Sequence, residues 1–176
     1  ADSSNTIIDG DSVSQVINLL NGEDSTTVIK NFTLRNGIGW EGNGSAILMG
    51  GGVVPGLPGP RLENLCITQN YDNAITSFGS TFSLKNSRII NNYGAFAIFN
   101  RTGNLTLKNT LIAGNEGGVF TENSGSLTII NSNIVFNTGR PLEFVRGGSG
   151  IIINSIISNN TNPVILLDDD VQSSVY

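Results

Sequence analysis

The chain has 176 residues, a net charge of −5, 22 glycines and no histidine, and charged residues make up 13 % of it. These totals suit one domain over 1–176 and exclude the usual nucleic-acid binder, which clusters Lys and Arg to neutralise phosphates. The commonest general base and metal ligand is missing with histidine, and no apolar run approaches the roughly 18 residues of a membrane helix, so no membrane insertion is expected.

Residues 1–24 form an irregular first rung or cap. The polar start, Ala1-Asp2-Ser3-Ser4, would suit a mature terminus after leader cleavage. Thr6-Ile7-Ile8-Asp9-Gly10-Asp11 reads as a short strand running into a turn. Val13, Val16, Ile17 and Leu20 have helical spacing and would suit a capping helix. A strand over Val16–Leu20 is preferred, because a turn at Asn21-Gly22 follows it directly.

Residues 25–37 hold the first clear copy of a repeat, Val28-Ile29-Lys30-Asn31-Phe32-Thr33-Leu34. Residues 38–60 break the period: Asn31 and Asn64 lie 33 residues apart, and the extra length is rich in Gly and Pro. Such a density of Gly and Pro cannot extend a helix or a central strand. It is expected to project as a loop, with a strand at Ser45–Met49.

Residues 61–162 repeat a short unit most clearly: FSLKNSRIINN, LTLKNTLIAGN, LTIINSNIVFN and GIIINSIISNN. Their first asparagines, Asn86, Asn109, Asn131 and Asn154, are spaced 23, 22 and 23 residues apart. A fixed period of this size marks a solenoid. Leu62, Leu84, Leu107, Ile129 and Ile152 stand two residues before the asparagine, and Ile67, Ile89, Ile112, Ile134 and Ile157 three after it. Phe82, Leu105 and Leu127 alternate with Ser83, Thr106 and Thr128, the period of two expected of strands. Residues 163–176 give a last strand, Val164–Leu167, and an acidic, weakly structured tail from Asp168-Asp169-Asp170 to Tyr176.

One turn of about 22–23 residues then holds three short strands and three bends, and turns pair by parallel hydrogen bonds about 4.8 Å apart. Identical positions stack. Asn31, Asn64, Asn86, Asn109, Asn131 and Asn154 are expected as an inward ladder at one bend, since asparagine tolerates left-handed backbone and its amide can bond the amides above and below. Asn70, Asn92, Asn115, Asn137 and Asn160, with Gly37 in the first rung, are expected to take positive φ at a second bend. Cys66, between Leu65 and Ile67, reads as a small buried hydrophobe and has no partner for a disulfide.

This all-β rung pattern resembles the right-handed parallel β-helix of the pectate-lyase-like superfamily over nearly the whole chain. The strands Gly94–Ile98 and Gly117–Val119, set between the Asn-Ser units, are similar to repeats of bacterial surface and autotransporter-type adhesin proteins. Resemblance to pectate lyases would imply a calcium site of several acids and a basic residue that abstracts a proton. Resemblance to polygalacturonases would imply an Asp pair and a Gly-His-Gly segment, and neither is found.

Site residues are sparse. Acids on the regular rungs are Glu63, Glu116, Glu122 and Glu143. Arg101 and Arg146 each stand nine residues after a second-bend asparagine and should face one side two rungs apart; solvated arginines are the simpler expectation. Lys30, Glu63, Lys85 and Lys108 share one outward column that reads as a solubilising stripe. Asp9, Asp11, Asp168 and Asp170 are the candidate oxygen ligands for calcium, although successive strand residues face opposite ways. No other cofactor is expected. Tyr71 and Tyr93 should stack outward on adjacent rungs and, with Trp40 in the loop, make a carbohydrate-binding platform. The triplets at Asn31, Asn43, Asn104 and Asn159 match the glycosylation pattern, with Asn31 expected to be buried. The Ser83/Thr106/Thr128 column is a weaker candidate for surface or ice binding.

The expected function is a non-catalytic extracellular or cell-surface module: an adhesin passenger, surface element or filament segment, associating end to end or continuing in a longer parent chain. The competing expectation is a polysaccharide-binding or polysaccharide-cleaving protein, a lyase or hydrolase, with the 38–60 loop walling a groove.

Overall fold

The computed structural model describes residues 6–40, 43–50, 58–162 and 165–167, and the backbone of 173–175. Short apolar-alternating stretches give strands of two to five residues, and most of them are followed directly by a residue with positive φ that turns the chain. Sheet A consists of Ile7–Asp9, Thr33–Arg35, Cys66–Thr68, Arg88–Ile90, Leu111–Ala113, Asn133–Val135 and Ile156–Ser158. Sheet B consists of Ile17–Leu19, Ile47–Met49, Ile75–Phe78, Ile98–Arg101, Val119–Glu122, Leu142–Val145 and Leu166–Leu167. Sheet C consists of Val28–Lys30, Arg61–Glu63, Phe82–Lys85, Asn104–Lys108, Ser126–Ile130, Ser149–Ile153 and Ser173–Val175. The chain visits A, B and C in rotation, so the three seven-stranded sheets make seven turns of a parallel solenoid.

The strand reading of the first rung holds at Ile17–Leu19. The strand inside the long insertion is Ile47–Met49. The tail differs from expectation: Ser173–Val175 pairs in parallel with Gly150–Ile152 and closes the last turn on sheet C. The glycines and prolines of 51–57, together with Asp168 and Asp170, lie outside the described residues.

The aliphatic columns fill the lumen as their period requires. Leu34, Ile67, Ile89, Ile112 and Ile134 of sheet A, Ile47, Ile75, Ile98, Val119 and Leu142 of sheet B, and Leu62, Leu84, Leu107 and Ile129 of sheet C are all buried. Each contributes about 1.5–3 kcal/mol by leaving water. Columns are less covered at the two ends, where Ile8, Ile17, Ile29, Ile152, Ile157 and Ile165 are only partly buried.

The asparagine columns divide their work differently from the sequence expectation. Asn31, Asn64, Asn86, Asn109, Asn131 and Asn154, at the bend from C to A, do take positive φ, between 47° and 66°. They are not inward: Asn31 is half-buried and the other five are exposed. A left-handed residue turns the chain and throws its own side chain outside, so the following residue points in. There a hydroxyl series runs through Ser87, Thr110, Ser132 and Ser155, in which Leu65 N, Thr110 N and Ser132 N donate to the oxygens of Ser87, Ser132 and Ser155.

At the bend from A to B the buried ladder is the second column, and it does not take positive φ. The left-handed residue is the one before it: Asn36, Gln69, Asn91, Gly114, Phe136 or Asn159. Asn70, Asn92, Asn115, Asn137 and Asn160 then point into the lumen. Their Nδ2 atoms donate along the column to the next Oδ1, from Asn70 to Asn92 at 2.9 Å, Asn92 to Asn115 at 2.9 Å, Asn115 to Asn137 at 3.1 Å and Asn137 to Asn160 at 2.9 Å. Gly37 ends the ladder through its backbone, donating to Asn70 Oδ1 at 2.9 Å.

Candidate functional site

Among the exposed apolar side chains, Val13, Ile38, Trp40, Tyr71 and Tyr93 gather on one ridge of the solenoid, while others, such as Ile151, Ile153 and Ile156, lie towards its last turn. The residue after the buried asparagine must point outward at the A-to-B bend, and across the second, third and fourth turns it is Ile38, Tyr71 and Tyr93. Ile38 and Tyr71 form a parallel bridge, and the rings of Tyr71 and Tyr93 stack with centroids 5.2 Å apart and 27° between planes. Trp40, two residues beyond Ile38, is 75 % exposed, against 47 % for Tyr71 and 49 % for Tyr93. Val13, Gln15, Ile38 and Trp40 line a shallow hollow of about 200 Å³ beside it. The stack covers one face of each tyrosine, and Trp40 is the most exposed of the three rings. On the next turn the column continues into Glu116, which is exposed.

The outer face of sheet B carries a second aromatic group that the sequence reading did not find. Phe99 and Phe120 are register partners and stack at 5.1 Å with 7° between planes. Phe96 packs on Phe120 at 4.7 Å and Phe78 on Phe99 at 6.1 Å. The signal was hidden because Phe99 and Phe120 are 21 residues apart while Asn92 and Asn115 are 23 apart. The A-to-B bend varies in length, so alignment on the asparagines puts the two rings in different columns.

Beside this face, Arg101 and Arg146 do lie on one side, and they converge on the turn between them. Glu122, 6 % exposed, takes Arg101 Nε at 3.4 Å on Oε1 and Arg146 Nη1 at 3.0 Å on Oε2. Glu143 pairs with Arg140 at 3.4 Å. In the first turn, Asp9 Oδ1 accepts from Asp11 N at 3.0 Å, and Oδ2 from Arg35 Nε at 2.7 Å. Asn36 Nδ2 reaches both oxygens. The Asp11 N–H, followed by Arg35 and Asn36, holds the Asp9 carboxyl below the usual carboxylate range. Asp9 therefore anchors the second turn to the first, and this arrangement leaves its oxygens occupied. Among the described residues, no group of three or more His, Cys, Asp or Glu side chains comes together that would hold a metal ion.

The remaining candidates stand on sheet C and its bends. Lys30, Glu63, Lys85 and Lys108 are in register in one column, which turns apolar at Ile130 and Ile153. Ser83, Thr106 and Thr128 are in register between Arg61 and Ile151. Of the glycosylation triplets, Asn104 and Asn159 are exposed, and Asn43 and Asn31 are half-buried. Cys66 is a buried free thiol.

Three parallel sheets, continuous lumen columns and stacked bends define a parallel β-solenoid. A family model described as a right handed beta helix region matches residues 15–176, and the chain belongs to that β-helix family. No curated protein and no solved structure matches it significantly.

Proposed function

We propose that this chain is a non-catalytic β-helix module of an extracellular or cell-surface protein, and that its aromatic ridge holds a neutral glycan. The observation that carries the reading is the gathering of Val13, Ile38, Trp40, Tyr71 and Tyr93, all exposed, on one bend. Exposed apolar side chains scattered singly need no explanation, but a contiguous group marks a contact surface. An exposed indole suits the C–H face of a pyranose, and the tyrosines supply hydroxyls for sugar oxygens. Glu116 in the same column and the net charge of −5 disfavour an acidic polymer.

The non-catalytic part of the reading is supported by how the carboxylates are used. Asp9, Glu122 and Glu143 are each engaged by a guanidinium, so they act as ties between turns or neighbours. Partly covered lumen residues at both ends support stacking on further turns, either of a second copy or of a longer parent chain.

Affinity electrophoresis of the purified chain in gels holding neutral or uronic-acid polysaccharides tests the reading. A neutral polymer should retard the chain, and Trp40→Ala should abolish most of the retardation. Equal retardation of wild type and Trp40→Ala would refute the ridge. Release of reducing ends or of unsaturated products would refute the non-catalytic assignment.

A second reading, an enzyme acting on polysaccharide, is favoured by one arrangement: the phenylalanines of sheet B beside Glu122, Glu143 and their arginines. It ranks second because both carboxylates are already paired.

A further inference from the structure

The outer faces of the three sheets differ in charge. Among the described strands, sheet A carries Asp9, Arg35 and Arg88, and sheet B carries Arg101, Glu122 and Glu143. Sheet C carries Lys30, Arg61, Lys85 and Lys108 against the single acid Glu63, which makes it cationic on a chain of net charge −5. Pairing differs as well. Arg35 lies 2.7 Å from Asp9 and Arg101 3.4 Å from Glu122. On sheet C the shortest approach among the described residues is Arg61 to Glu63, at 4.0 Å. Lys30, Glu63, Lys85 and Lys108 are successive register partners in one outward column, with Arg61 in the other. Lys85 and Lys108, about 4.8 Å apart at the backbone, have no carboxylate between them.

The same face exposes isoleucine. Ile151 continues the Arg61 column through Ser83, Thr106 and Thr128, and Ile153 continues the lysine column through Ile130. They are 42 % and 37 % exposed. Ile151 already has Ser174 in register on its far side. Its exposure is therefore outward from the sheet, and turns stacked on the end of the solenoid would not cover it. A face kept only for solubility has no use for isoleucines, and a soluble polyanion would meet the cations and leave the isoleucines in water. An anionic bilayer surface meets both, because its phosphates lie level with the cations and its acyl chains begin just beneath.

We infer that the outer face of sheet C docks the chain on an anionic lipid surface. Lys30, Arg61, Lys85 and Lys108 meet the headgroup phosphates, and Ile151 and Ile153 enter the boundary beneath them. The face runs about 24 Å from Lys30 to Ile153 at the spacing of paired strands. Acids on the other two sheets oppose this weakly, since screening limits their reach to about 8 Å at physiological ionic strength. The A-to-B bend is the one that sheet C does not adjoin, so a docked chain keeps Trp40 and the tyrosines free. The inference holds whatever the ridge binds.

Co-sedimentation of the full chain with lipid vesicles tests it. Vesicles of phosphatidylcholine with about one-third phosphatidylserine should bind the chain at least about 10-fold more tightly than phosphatidylcholine alone, and about 0.5 M salt should abolish the difference. Lys85→Gln/Lys108→Gln should weaken binding to the anionic vesicles about 10-fold. Ile151→Ser/Ile153→Ser should weaken it at least about 5-fold and leave the salt dependence in place. Equal binding to both kinds of vesicle, or binding to neither, would overturn the inference, and so would an isoleucine variant that binds as wild type does. Retention on a sulfated polysaccharide without binding to vesicles would assign the cations to a soluble polyanion instead. Should the isoleucine variant not fold, the lysine variant and the comparison of the two vesicles still decide the matter.

Discussion

Asn92 and Asn115 are joined twice across one turn of the solenoid. Asn115 Oδ1 accepts from Asn92 Nδ2 at 2.9 Å and from Asn92 N at 3.0 Å. Asn115 Nδ2 in turn donates to Asn137 Oδ1 and to Ile89 O. Asn115→Ala would strand the Asn92 backbone N–H and one of its amide protons in the lumen. At about 1–3 kcal/mol for each group, the expected loss is about 2–5 kcal/mol, or roughly 5–15 °C in Tm. Asn109→Gly, in the exposed column, keeps the left-handed backbone and should cost less than about 1 kcal/mol. Thermal melts of equal size for the two variants would contradict the assignment of Asn115 to the buried ladder.

Phe136 is the one bulky apolar side chain at its bend position. Its φ is 57° and it is 62 % exposed, so it bears the left-handed cost, about 1 kcal/mol, with little burial in return. The equivalent residues of other turns are Asn36, Gln69, Asn91, Gly114 and Asn159. Phe136→Asn is expected to raise Tm by about 2–4 °C. A fall in Tm would mean that the ring makes a contact worth more than the backbone preference.

Glu122 sits between two arginines that are themselves mostly in water. Losing either Arg101 or Arg146 alone should cost less than about 1 kcal/mol, since the other still pairs the carboxylate. The double variant leaves a buried charge unpaired and should cost about 3 kcal/mol or more. The excess over the two single effects is the quantity to measure, by a double-mutant cycle on chemical or thermal unfolding. Additive effects would show that the arginines act separately.

Asp9 gives the acid dependence of the first turn. The Asp11 N–H, then Arg35 and Asn36, favour its ionised form, so its folded pKa lies below the unfolded value of about 4. A depressed carboxyl contributes stability that is present above the unfolded pKa and is lost as pH falls through the folded one. The tie to Arg35 should therefore be intact at neutral pH and weaken below about pH 4. Carboxyl NMR should give Asp9 a midpoint below about 3.9, and Asp9→Asn should remove the corresponding acid-side loss. A midpoint at or above that value would exclude the network.

Much of the fold is legible in the chain because period and residue type are one-dimensional signals. Isoleucine three residues after an asparagine, five times over, states that one sheet faces a common lumen. The insertion after Ile38 and the strand at Ile47–Met49 could be read for the same reason, since Gly and Pro interrupt a pattern that resumes at Arg61. The candidate site was legible only in part. The Tyr71–Tyr93 stack follows from equal distances to Asn70 and Asn92, whereas the Phe99–Phe120 stack does not follow from any common offset. Arg101 and Arg146 could be placed on one side, but Glu122 between them required the register of sheet B.

The asparagine columns mark the boundary between the two kinds of information. From sequence alone, two columns of the same residue with nearly the same period are certain, and so is a coil of parallel strands. Which column enters the lumen depends on the sign of φ at each bend, because a left-handed residue sends its own side chain out and its successor in. Gly114, standing just before Asn115, and Ser87, standing just after Asn86, are the local traces of that geometry. Only the closed turns, packed so that Asn115 is buried against Asn92 while Asn109 bonds Asn86 at 3.0 Å on the exposed surface, decide which asparagines are buried in the lumen and which lie outside it.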